Sequence, residues 1–106
     1  MPKYLFRANY TSEGAKGLVK DGGSKRRSVL QKSCESLGGR LESFYFAFGD
    51  TDAYVTVDLP DAASAAAMAL TVAAGGAAGV HTTVLLTPEE LDAAARKSPM
   101  YTPPGQ

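Results

Sequence analysis

Residues 40–59, RLESFYFAFGDTDAYVTVDL, decide how the rest of the chain folds. Side chains alternate between the two faces of an extended chain, so Phe44, Phe46 and Phe48 share one face of a first strand. By the same rule Val55, Val57 and Leu59 share one face of a second. Gly49-Asp50-Thr51-Asp52 supplies a tight acidic turn between them, because aspartate accepts hydrogen bonds from nearby backbone amides. The opposite faces carry Leu41, Tyr45 and Ala47, then Tyr54 and Thr56, too apolar a set to stand in water. The hairpin is therefore expected to be covered on both sides.

Ahead of it, residues 3–10 alternate Tyr4, Phe6, Ala8 and Tyr10 against Lys3, Leu5, Arg7 and Asn9, which predicts a strand. Thr11-Ser12 offers a hydroxyl to cap a short helix running to about Val19, weakened by Gly14 and Gly17. Lys20-Asp21-Gly22-Gly23 interrupts it. Ser24 is the expected cap of a longer helix whose apolar stripe is Val29, Leu30, Cys34 and Leu37, with Gly38-Gly39 ending it. After the hairpin, Pro60-Asp61 opens a helix predicted to reach residue 74, with Asp61 as its N-cap or first-turn anion. Its alanines let the backbone lie close to a sheet, with Ala66 and Ala69 as the positions tested for the inward face. Residues 80–86 form a fourth strand, with Val80, Thr82, Val84 and Leu86 on one face and His81, Thr83 and Leu85 on the other. Thr87-Pro88-Glu89-Glu90 is a capping-box start for a last helix to about Lys97. The chain thus divides into one domain, residues 1–98, and an extended proline-rich tail, residues 99–106.

This β-α-β-β-α-β order predicts an α+β, ferredoxin-like fold, a four-stranded antiparallel sheet with helices on one face and an added C-terminal helix. The other face stays open. Leu5, Tyr45, Ala47, Tyr54, Thr56 and Leu85 are placed on it as interface residues, and a second copy is the expected cover, giving a homodimer or higher homo-oligomer.

The 106 residues suit one hydrophobic core. Eleven basic and eleven acidic side chains cancel, so no overall field draws the protein to nucleic acid or an anionic membrane. Cys34 is the only cysteine, which excludes an internal disulfide and a cysteine-cluster metal site and points to the cytoplasm. The opening residues lack the apolar core of a secretory signal. Residues 62–88 are long enough to span a bilayer, but Ala, Gly and Thr dominate them, and they lack the bulk that makes insertion favourable.

Candidate chemistry is sparse. His81, the only histidine, is a possible general base or haem ligand by residue type, and a solvated or interface imidazole by context. Asp50 and Asp52 are carboxylates that a turn already explains, and Asp52 is kept as a ligand-binding candidate. Tyr45 and Tyr54 complete the candidate pocket, their phenols suited to orienting a small planar ligand. Lys25-Arg26-Arg27 lacks the phosphate-loop pattern and reads as a solvated helix face. Cys34 reads as a small buried hydrophobe. No catalytic residue and no metal ligand is assigned.

YLFRANYTSEGAKGL, GGSKRR, LGGRLESFYFAFGDTDAYVTVDLPD and TTVLLTPEEL, taken together, resemble the GYD-domain family of small bacterial proteins. That resemblance implies a relative of the dimeric α+β barrels. The family's Gly-Tyr-Asp signature falls at the hairpin turn, where this chain has Thr51 at the tyrosine position, so no role of that ring carries over. The resemblance names no substrate. The leading expectation is a cofactor-free, homo-oligomeric module that binds a small molecule or simply assembles. The alternatives are a cofactor-independent monooxygenase or isomerase, and a haem protein using His81, by analogy of fold alone.

Overall fold

The computed structural model describes residues 1–106. In chain order it contains β1 (Lys3–Tyr10), α1 (Ser12–Asp21), α2 (Gly23–Ser36), β2 (Arg40–Phe46), β3 (Ala53–Asp58), α3 (Ala62–Ala74), β4 (Ala78–Leu85) and α4 (Pro88–Ala95). The strands form one antiparallel sheet in the order β2-β3-β1-β4. This is the expected α+β, ferredoxin-like arrangement. No helix is long and apolar enough to cross a membrane.

One face of the sheet is the core. Tyr4 and Phe6 of β1 and Val55 and Val57 of β3 are buried there with Leu59, beneath Leu30 and Cys34 of α2 and Ala65 and Met68 of α3. Burial raises the Cys34 thiol pKa, with a smaller push from Glu35, which disfavours the thiolate. On α3 the buried small residue is Ala65, whereas Ala66 is exposed and Ala69 half-buried. The inward face therefore lies one position earlier than the sequence suggested for Ala66, because Met68 sets the phase of the stripe.

Two close approaches tie the layers together. A Cβ on Gly14 would lie 1.9 Å from the Ala77 carbonyl oxygen, and one on Gly39 2.1 Å from that of Asp58. At the first contact Thr11 also locks the β1–α1 corner to the turn after α3: its amide donates to the Ala77 carbonyl at 3.0 Å and its hydroxyl to that of Gly76 at 2.8 Å.

Four local expectations change. The break between the first two helices is Gly22 alone, at φ 86°, and α2 starts at Gly23 without a side-chain cap, so Ser24 lies inside the helix. A bulge between Leu41 and Ser43 inserts a residue into β2, which turns Leu41 toward the helices, where it packs on the core. The unbroken alternation had put it on the open face. The strand also stops at Phe46, leaving Phe48 fully exposed in the connection rather than in line with Phe44 and Phe46. That connection spans residues 47–52, longer than a tight turn. The caps at Thr11, Asp61 and Thr87 form as read, the last as a complete capping box.

Candidate functional site on the open sheet face

Strand register sorts the uncovered face into rows that cross all four strands. The first is Tyr45, Tyr54, Arg7 and His81, each directly opposite the next. The second is Ser43, Thr56, Leu5 and Thr83. The third runs from the Arg40 and Glu42 end of β2 through Asp58 and Lys3 to Leu85. Three of the four candidate ligand residues, Tyr45, Tyr54 and His81, thus fall in one line.

The sequence reading did not single out the residue between them. Arg7 brings a guanidinium with no ion-pair partner in the chain. Its alternation with Leu5 was a usable signal, but its place between Tyr54 and His81 follows only from the register. Two phenols, a guanidinium and an imidazole make a row able to stack on aromatic groups and hold anions.

Asp52 stands apart from this row. Its carboxylate accepts the Tyr10 amide at 2.9 Å, while its own amide donates to the Ala8 carbonyl at 2.9 Å and its carbonyl accepts from Ala47 at 2.8 Å. The acid thereby continues the β1–β3 ladder past the strand end and closes the connection, a structural use for an aspartate at this point. Thr51 is buried.

The third row is charged, so the open face is less apolar than expected. The Asp58 carboxylate accepts from the Lys3 ammonium at 2.8 Å and from the Arg40 Nε at 2.8 Å, and Lys3 also pairs with Glu42. The Lys3 bond, then those from Arg40, outweigh burial and hold Asp58 below the usual carboxylate range. In the second row the Ser43 and Thr56 hydroxyls bond to each other, while Leu5 and Leu85 are half-buried.

A small cavity lies on the opposite side, between sheet and helices. Phe6, Phe44, Val55, Met68 and Val72 line it, with Tyr10 and Arg26 as its polar groups. Its volume is about 30 Å³, room for a water molecule or two. Arg26 therefore does more than solvate a helix face. No three His, Cys, Asp or Glu side chains converge on a common point where a metal ion would sit.

A family model described as the GYD domain matches residues 4–95, nearly the whole folded part. The chain belongs to the GYD domain family. The match takes in all four strands of this GYD domain and ends with α4, so the cross-strand row lies wholly inside it. No curated protein and no solved structure matches the chain.

Proposed function

We propose that this GYD domain is an assembly module, which pairs with a second copy of itself through the open face of the sheet. The observation that carries the reading is the self-complementarity of the three rows. Two sheets stack about 10 Å apart, with neighbouring strands about 4.8 Å apart within each. A two-fold axis parallel to the strands sets β2 against the second copy's β4 and β3 against its β1, at unchanged height.

The first two rows and the inner pair of the third then meet a fitting reverse of themselves, while Leu85 comes opposite the Arg40 and Glu42 end. Arg7 faces the other copy's Tyr54, a cation over an aromatic ring. His81 faces Tyr45, Lys3 faces Asp58, and Leu5 faces Thr56. An axis perpendicular to the strands instead brings Arg7 against Lys3, and like charges opposed in a desolvated interface are costly. The exposed rings of Tyr45 and Tyr54 supply apolar area for such a contact.

The cavity beside Arg26 supports a second reading, binding of a small molecule. Its volume is about 30 Å³, whereas ligand pockets run to several hundred, roughly 300 to 1,000 Å³. That difference puts assembly ahead of binding in this cavity. The module needs no cofactor and no catalytic group on this reading, and haem ligation by His81 or turnover by the cross-strand row would replace it.

The test is geometric. Protein carrying Ser43→Cys is mixed with protein carrying Thr83→Cys and treated with a short bis-maleimide. On the strand-parallel axis these positions lie about 10 Å apart and like positions about 17 Å apart. Mixed cross-links are therefore expected to dominate. Predominantly like-with-like cross-links would reject this axis, and none at all would reject the face.

A further inference from the structure

We infer that residues 86–106 form an arm that docks on a second copy of this chain, in the groove between α2 and β2. The inference rests on the face-to-face pairing proposed above. Every residue of this segment is exposed, and α4 buries none of its side chains. The radius of gyration, 16.7 Å, exceeds the roughly 13 Å of a compact chain of this size. The molecule is drawn out to 56 Å along one axis against 33 and 23 Å along the others.

The arm is nonetheless built as structure. Its helix has a complete capping box and a proline at the start, although so short a helix is marginal in water without something to pack on. Leu91, 61% exposed, recurs with Ala94 and Ala95 at the spacing of one helix face. Leu86, Met100 and Tyr101 are exposed as well.

Register and charge point to the occupant and the place. The strand-parallel axis lays β4 over the second copy's β2, so the arm leaves β4 beside that strand's outer edge. A groove whose lining includes Arg27, Gln31, Leu41, Glu42 and Phe44 runs along this edge, and its one acid, Glu42, is paired with Lys3. Arg27 is exposed and forms no ion pair, whereas Lys25 is paired with Asp21 and Arg26 lines the inner cavity. Asp92 flanks the face of Leu91, Ala94 and Ala95, whereas Glu89 lies nearly opposite Leu91 and Glu90 closes the capping box. Asp92 therefore meets Arg27 while Leu91 meets Leu41 and Phe44.

Full-length Arg27→Glu and Asp92→Arg chains separate docking between copies from folding back within one. Each variant alone opposes like charges at both arms of its dimer, and a loss of about tenfold in dimer affinity is expected. Mixing the two restores an opposite-charge pair at both arms, so native mass spectrometry should show heterodimers well above the statistical half. A statistical mixture, or single variants that dimerise like the parent, overturns the arm. If the Ser43 and Thr83 cross-link persists in that case, the sheet pairing survives without it. A monomeric parent chain overturns both.

Discussion

Replacing Tyr45 by Ser probes the proposed face with little disturbance to the fold of one chain, because the ring is already 70% exposed. A tyrosine offers on the order of 200 Å² to burial, so about 140 Å² of this ring awaits a cover. At about 25 cal/mol per Å², covering half of that is worth about 1.7 kcal/mol. A two-fold interface uses each ring once per copy, which doubles the loss to about 3.5 kcal/mol, near 300-fold in dissociation constant. Sedimentation equilibrium across micromolar concentrations measures it, and thermal melting checks that the single chain still folds. Leu70→Ser is the matched control, since Leu70 is also 70% exposed but lies on α3, on the helix side. Equal weakening by both substitutions, or a larger effect at Leu70, would refute the assignment of the interface to the open sheet.

Further outcomes concern the frame that holds this face. Gly14→Ala should destabilise by about 3 kcal/mol or more in denaturant titration, because the new methyl meets backbone rather than a side chain able to move. Ala65→Leu should cost about 1 to 3 kcal/mol by overpacking the buried stripe of α3, while Ala66→Leu, at an exposed position, leaves melting within about 0.5 kcal/mol of the parent. For Asp58 the folded-state pKa lies below its ordinary value, so the unfolded chain binds more protons between the two. Its stabilisation is complete above the ordinary carboxylate value and is lost as pH falls through the folded-state value. Melting temperature against pH should show that acid loss, and Asp58→Asn should flatten it. His81→Gln is expected to fold and pair, with dimer affinity within about tenfold of the parent, as gel filtration with light scattering would show.

How much of this was legible beforehand depended on parity and register. The strands β1, β3 and β4 keep an unbroken alternation, so Phe6, Val55, Val57 and Thr83 fell on the faces assigned from sequence. In β2 the bulge shifts parity between Leu41 and Ser43, and no residue type there announces it. The Tyr45 and Tyr54 pairing could be expected from a hairpin, whereas placing Arg7 between Tyr54 and His81 needs the register of a strand from the far end of the chain. Asp52 was singled out as an acid in a turn. What hid its role was the Tyr10 amide, distant in sequence, that it accepts. The capping residues were readable because their partners lie within one helical turn.

The bulge in β2 also bears on how far an assembly of this domain can grow. A sheet whose outermost strand is flat can add strands from further molecules without limit, edge to edge, and the product is a ribbon or a fibre. Here β2 is an outer strand, and its extra residue at Leu41 to Ser43 bends it and interrupts the regular spacing of its free amides and carbonyls. A further strand would find no continuous ladder to extend. At the other edge β4 pairs with β1 without a bulge from Ala78 to Leu85, so its outer side keeps a regular ladder. An endless ribbon needs both edges, so the bulge in β2 stops it, and on the face-to-face pairing proposed above a two-fold axis closes the assembly at two.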